Sequence, residues 1–138
     1  MPEVNLLAVL VTGIIAFTIG GAWYSPALFA NPWMAAHGYP ADRMAEMKRT
    51  NPPARAMAVT AVCQIVMAYV VAVLLAWTGM AGWTRGVALG VLLWVGLAGA
   101  VALIANMFSD KPIRVFVIES AYQLVCLVVM GAILGTWR

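Results

Sequence analysis

The sequence predicts an all-α, polytopic membrane protein in which four transmembrane helices form one bundle. Two observations of composition support this prediction: 64% of the 138 residues are hydrophobic and only 9% are charged, whereas about 25% of residues are charged in ordinary soluble domains. A third observation is that the charged residues are gathered in a few short segments, which leaves four long apolar stretches. A soluble enzyme, a disordered chain and a disulfide scaffold are excluded, because each needs more charge or more cysteine.

Each apolar stretch is long enough for one span. A helix rises about 1.5 Å per residue, so roughly 20 residues cross a hydrocarbon core of about 30 Å. Helices are required because lipid offers no partner to backbone N–H and C=O groups, and a helix pairs these groups internally. We place the spans at residues 4–23, 56–77, 84–107 and 113–137 of a single transmembrane domain that covers residues 1–138.

The charges of the connections predict the orientation in the cell membrane. The connections after the first and third spans contain six of the eight basic residues: Arg43, Lys48, Arg49, Arg55, Lys111 and Arg114, against Arg85 and Arg138 on the other side. Because basic connections remain in the cytoplasm, we expect both termini to be extracytoplasmic.

The connection of residues 25–55 is the one long loop. Ser25 followed by Pro26 is typical of a helix N-cap with proline at the first helical position, which predicts a short helix that ends at Gly38. A second short helix is predicted at residues 41–49. Two interpretations remain open: an interfacial helical hairpin held by aromatic rings and anionic lipid, or a gate or docking surface.

Glu119 is the candidate functional residue, because it lies roughly 9 Å inside the predicted fourth span. A carboxylate at depth costs about 2.5 to 3.5 kcal/mol unless it faces the bundle, is protonated or finds a donor. Tyr122 and Gln123 share its helical face, which indicates an inward polar stripe. Matching by depth adds Gln64 from the second span and Asn106 from the third.

Two roles remain open for this polar cluster. It is either a strut that fixes helix register, or a proton or cation relay or an anchor for a ligand. Any basic partner of Glu119 is expected from the membrane boundary, where Lys111 and Arg114 are nearest in sequence.

We expect no cofactor and no metal. His37 is the only histidine, and it has no companion at ligand spacing. Cys63 and Cys126 differ too much in predicted depth for a disulfide, so both are expected to be packed thiols. The chain contains no hydrolase or nucleotide-binding motif, and topology explains its net charge of +3. We therefore expect neither catalysis nor nucleic acid binding.

Glycines recur at a spacing of four in the third and fourth spans: Gly82, Gly86 and Gly90, then Gly131 and Gly135. Such spacing lets helix backbones approach closely in lipid, either inside one bundle or between copies. The expected partners are therefore the lipid bilayer and a second copy of the chain.

The turn that follows the first span carries a family resemblance. Its residues are Trp23, Tyr24, Ser25, Pro26, Phe29 and Trp33, and the resemblance extends to Glu119, Tyr122, Gln123 and residues 130–135. The chain resembles a bacterial family of four-span membrane proteins catalogued as domain of unknown function seventeen-sixty-one. The resemblance implies the four-span fold and no established activity, cofactor or substrate.

Two functions are compatible with these residues. The first is a non-catalytic, self-associating membrane module with a buried polar cluster around Glu119. The alternative is a small proton- or cation-coupled permease or channel subunit in which Glu119 is the ion site.

Overall fold

The computed structural model describes residues 1–138 and contains helices joined by short turns, with no strand. In chain order they are α1 (Leu6–Trp23), α2 (Ala30–His37), α3 (Ala41–Thr50), α4 (Pro53–Thr78), α5 (Trp83–Leu93), a π-helical turn (Trp94–Ala98), α6 (Gly99–Phe108) and α7 (Ile113–Thr136). The stretch from α5 to α6 is one continuous third span, so four helices are long and apolar enough to cross a membrane. The predicted all-helical fold with four spans is confirmed.

The helix ends follow ordinary capping chemistry. The side chain of Asn5 accepts the Ala8 N–H at 3.0 Å and caps α1. Gly38 and Gly79 end α2 and α4 in the left-handed conformation, with φ of 68° and 65°, which glycine adopts without steric penalty. α4 begins at Pro53 because the proline ring fits the first helical position.

The first short helix of the long connection begins later than the sequence predicts. α2 begins at Ala30 and is flanked by Phe29. Ser25 is not its N-cap, because the Ser25 hydroxyl donates backwards to the Ala22 carbonyl at 2.7 Å and so closes α1. The last carbonyls of a helix lack the usual partner four residues further along, and here the Ala22 carbonyl accepts both the N–H and the hydroxyl of Ser25.

The two ends of the bundle differ in what connects there. The connection between α1 and α4 and the turn of residues 109–112 lie at one end, which we call the loop end. Both termini and the turn of residues 79–82 lie at the other, the terminal end. There the Gly82 N–H donates to the Gly135 carbonyl at 2.8 Å and ties the turn to α7.

α7 is the central helix of the bundle. It packs against α1, α4 and every part of the third span, and it also contacts α2. More of its residues are buried than in any other helix, and the third span is the least buried of the four. The largest fully buried side chains include Leu75, Val71 and Met130, and Ala8, Val9 and Ala16 belong to the same cluster, so the apolar core lies between α1, α4 and α7.

Glycine backbones bring α5 and α7 into contact in the terminal half. The contacts form three layers: Gly82 with Gly135, Gly86 with Gly131, and Gly90 with Leu127. A Cβ atom on Gly86 would overlap the Gly131 carbonyl oxygen. The glycines that the sequence identified for packing therefore serve a contact inside one chain.

The two cysteines are free and occupy different environments. Cys126 is buried, as expected, whereas Cys63 is exposed on α4. The expectation that both thiols are packed is wrong for Cys63. The reason is its position on the outer face of α4, where Val59, Val62 and Val66 are also exposed.

Candidate functional site

Glu119 lies on α7 near the loop end, and 43% of its side chain is exposed. The indole N–H of Trp33 donates to its Oε1 atom at 3.1 Å, and no hydrogen bond reaches Oε2. His37 is the nearest basic group, with its Nε2 atom 3.7 Å from Oε1 and its side chain only 6% exposed. The carboxylate is therefore held on one side by α2 and open on the other, so the expectation of a buried carboxylate is wrong, because the clefts beside it leave that side uncovered.

His37 is the site residue that sequence reasoning missed. The expected basic partners were Lys111 and Arg114, but neither forms a salt bridge with Glu119, and His37 takes that place. Trp33 and His37 are four residues apart on α2, so both side chains lie on one helical face. That spacing is the signal in the sequence, although only the tertiary placement of α2 brings the face to Glu119.

Three indole N–H groups converge on one turn of α7. Trp23 donates to the Ile118 carbonyl at 3.1 Å, and Trp94 donates to the Ser120 carbonyl at 2.8 Å. Together with the bond from Trp33 to Glu119, these contacts connect the α7 turn to the first span, to the third span and to α2. The position of the Glu119 backbone is thus fixed from three sides.

Aromatic rings surround the carboxylate on the loop side. The ring centroids of Trp33 and His37 are 4.3 Å apart, and His37 stacks on Tyr39 at 4.7 Å. Tyr24 meets Trp33 edge-on at 6.3 Å. Burial, with the Glu119 charge as the second cause, raises the pKa of Tyr24 to about 12. Its phenol is therefore protonated near neutral pH and available as a hydrogen-bond donor.

A second polar group lies deeper and is closed. The Gln64 side-chain N–H donates to the Tyr122 hydroxyl at 2.7 Å, and that hydroxyl donates to the Ala16 carbonyl at 3.2 Å. Gly20 makes room for the ring, because a Cβ atom there would lie 2.5 Å from the Tyr122 oxygen. These bonds join α1, α4 and α7 without involving Glu119.

The predicted polar cluster is therefore divided. Tyr122 and Gln64 form the closed group, and Gln123 lines a cleft beside Glu119 with its Oε1 atom buried and without a partner. Asn106 is buried, but its side chain donates to the Lys111 carbonyl at 3.0 Å and stabilises the turn after α6. It does not bond to the other members.

Two clefts meet at Glu119. The loop cleft, of about 680 Å³, lies between α2, α3 and the start of α4, and it is lined by residues such as Trp33, Met34, Met44, Met47 and Lys48. The lateral cleft, also of about 680 Å³, lies between α1, α4 and α7 with Ala102 at one edge. Tyr24, Ala56, Thr60 and Glu119 line both clefts.

The lateral cleft opens because the second and third spans separate toward the loop end. α4 has only slight contact with α5 and does not pack along α6, so α7 makes most of the contacts between the third span and the rest of the bundle. The cleft wall contributed by α4 includes Met57, Val59 and Cys63, all of which are exposed. The opening therefore faces the region that lipid occupies around the bundle.

Four helices long and apolar enough to cross a membrane, with a half-exposed carboxylate on the fourth, indicate a multi-pass membrane protein. The chain belongs to the family described as "Protein of unknown function (DUF1761)", whose model matches residues 7–135. That match covers nearly the whole chain and agrees with the resemblance identified from the sequence. No curated protein and no solved structure matches the chain.

Proposed function

We propose that this protein is a non-catalytic module of the bacterial inner membrane that binds a cationic solute at Glu119. The observation that carries the proposal is the position of the carboxylate, 43% exposed where two clefts meet. An anionic group kept partly open in an apolar setting has a strong electrostatic preference for a cation.

The contacts of Glu119 favour a binding site over a strut. A buried strut uses its hydrogen-bonding capacity on neighbouring helices, whereas the Glu119 Oε2 atom accepts no bond and Oε1 accepts one. The closed group of Gln64, Tyr122 and the Ala16 carbonyl already joins three spans. The bundle thus has a separate polar strut, and the Oε2 atom of Glu119 is left free for a ligand.

Binding without a reaction agrees with the groups around the carboxylate. Its neighbours are the indole of Trp33 and the imidazole of His37. No serine, threonine or cysteine side chain is hydrogen-bonded to either His37 or Glu119, as a nucleophile activated by a general base would be.

The loop end, in this proposal, faces the cytoplasm, with α2 and α3 as an interfacial hairpin and both termini outside. The distribution of six basic residues against two supports this orientation. A reporter fused after Arg138 is expected to give an extracytoplasmic signal, and a cytoplasmic signal would reverse the assignment.

The second candidate is a small permease or channel subunit that uses Glu119 as its proton or cation site. The observation that favours it is His37, whose Nε2 atom lies 3.7 Å from the Glu119 carboxylate, because adjacent carboxylate and imidazole groups are typical of proton relays in membranes. A solute would then have to pass the terminal half, where α5 and α7 touch backbone to backbone. Uptake of a cation into proteoliposomes that depends on Glu119 would favour the permease over a module that only binds.

Self-association is part of the proposal, although the contact cannot be the glycine layers that α5 and α7 already occupy. Gly96 has open space around it on the third span, which is the least buried span. We therefore propose this face as the contact between copies. Cross-linking between copies through Gly96→Cys in native membranes is expected, and a monomer in nanodiscs would contradict it.

Carbodiimide labelling of the protein in liposomes tests the binding proposal. Dicyclohexylcarbodiimide reacts with protonated carboxyl groups in apolar sites, and mass spectrometry locates the adduct. We expect labelling of Glu119 in the folded protein and suppression of that labelling by cationic solutes. Glu3→Gln is the matched control, because it removes an exposed carboxylate at the terminal end and should leave the adduct unchanged. Absence of labelling at every pH would refute an accessible site.

A further inference from the structure

The residues that line the lateral cleft indicate which kind of cation would bind at Glu119. We propose that the site recognises a protonated amine carried on a hydrocarbon body, which enters sideways from the leaflet through the lateral cleft. This inference rests on the proposed function, since both place the ligand at Glu119.

The polar atoms around Glu119 call for a ligand that donates hydrogen bonds. Both carboxylate oxygens are acceptors, and only one of them has a donor. The side-chain oxygen of Gln123 and the hydroxyl of Ser120 are buried and have no partner, and both residues line the lateral cleft. An ammonium group has three N–H donors and one positive charge, so it complements a carboxylate beside such acceptors.

Aromatic faces beside the carboxylate strengthen the preference for an organic cation. Tyr24 and Trp33 line the loop cleft together with Glu119, and the face of an aromatic ring attracts a cation within about 6 Å of its centroid. Ca²⁺ takes about six to eight oxygen ligands at once, more than the Glu119 carboxylate and the buried oxygens of Ser120 and Gln123 supply.

The remaining walls fit an apolar body. Phe17, Met57, Val59 and Met67 line the lateral cleft, and Val59 and Met57 are exposed at its opening. An alkyl chain along this wall would remain in contact with apolar surface while its amine reaches Glu119. The volume of about 680 Å³ is within the range of sites for drug-sized molecules.

The test measures binding of tritiated dodecylamine to the protein in phosphatidylcholine nanodiscs, with empty nanodiscs to subtract partitioning into lipid. We expect unlabelled dodecylamine to compete best. Dodecyltrimethylammonium, which keeps the charge but has no N–H donor, should need an about tenfold higher concentration to displace the same amount of tritiated dodecylamine. Dodecanol, which has the same chain without charge, should not compete. Equal competition by dodecanol would overturn the proposal.

Glu119→Gln is expected to weaken dodecylamine binding about tenfold or more, because it removes the charge and keeps the shape. Glu3→Gln changes the net charge equally at the other end of the bundle and should bind normally. Undiminished dodecylamine binding by Glu119→Gln would also overturn the proposal. If that variant does not fold, the ranking of competitors on the unmodified protein still tests the proposal.

The amine can come from a free molecule or from a lipid headgroup. Replacing phosphatidylcholine by phosphatidylethanolamine in the nanodiscs separates these sources: reduced dodecylamine binding assigns the site to the lipid amine, and unchanged binding assigns it to free amphipathic amines.

A different result would refute the proposed binding function itself. If carbodiimide never labels Glu119, no solute site exists there and both proposals fail. If cations suppress the labelling but dodecylamine does not bind, only the proposed ligand class is refuted.

Discussion

In the terminal half of the bundle, glycines let α5 and α7 touch backbone to backbone, and the Gly82 N–H bonds directly to the Gly135 carbonyl. In the loop half, the third span and α7 are joined through the indole of Trp94, whose N–H donates to the Ser120 carbonyl. The second and third spans separate there, and a cleft of about 680 Å³ opens beside Glu119. Close packing at one end therefore supports an open site at the other.

This difference assigns stability and function to different residues. Backbone contact in lipid needs small residues and leaves no space for a ligand. A large aromatic side chain between two helices, such as Trp94, holds them further apart and keeps polar groups accessible. Substitutions in the terminal half and in the closed polar group should reduce the free energy of unfolding. Substitutions at Glu119 should change binding and leave that free energy nearly unchanged.

The largest effect is expected from Gly131→Ala. Its Cβ atom would overlap the Gly86 carbonyl oxygen, and a backbone atom cannot move aside as a flexible side chain can. Overpacking of this kind should lower the free energy of unfolding by about 3 kcal/mol, measured by detergent denaturation in mixed micelles. Gly21→Ala is the control, since a Cβ there meets nothing within 4 Å, and equal stability of the two variants would remove the distinction between the halves.

A smaller loss is expected from Tyr122→Phe. The substitution leaves the Gln64 N–H buried without its 2.7 Å acceptor and removes the bond to the Ala16 carbonyl. Hydrogen bonds between helices in membranes contribute up to about 1.7 kcal/mol, so we expect a loss of about 1 to 2 kcal/mol in the same assay. Tyr69→Phe provides the comparison, because the Tyr69 side chain is only partly buried and packs on the core. A larger loss for Tyr69→Phe would show that the closed group does not hold the bundle.

Trp94→Phe should have a weaker effect still. It removes the 2.8 Å bond to the Ser120 carbonyl, but that carbonyl remains within the α7 helix and keeps a backbone partner there. The expected loss is about 0.5 kcal/mol. Trp77→Phe is a matched control, since Trp77 is exposed. A loss as large as that of Gly131→Ala would mean that the loop half is packed as tightly as the terminal half.

The sequence was sufficient for the membrane helices and insufficient for the neighbours within the site. Gaps between charges located all four spans, because the cost of charge in lipid acts on each segment separately. The spacing of Gly86 and Gly131 predicted a close contact, but the same spacing suits one bundle or two copies. His37 could not be assigned to Glu119, since that contact depends on how the connection of α1 and α4 folds back over α7.

Ser25 illustrates the same limit on a smaller scale. Its position before Pro26 indicates an N-cap, but its hydroxyl donates to the Ala22 carbonyl at the end of α1 instead. Local patterns name the groups that can bond, and the tertiary structure decides between their possible partners.

The free energy of unfolding of Glu119→Gln in phosphatidylcholine bicelles tests the central claim most directly. Glutamine keeps the shape and an oxygen that can accept the Trp33 N–H, which lies 3.1 Å from the carboxylate. If Glu119 is an open site, stability should change by no more than about 0.5 kcal/mol. A loss equal to or larger than that of Tyr122→Phe would show that Glu119 holds the helices together and would contradict the assignment of a binding site.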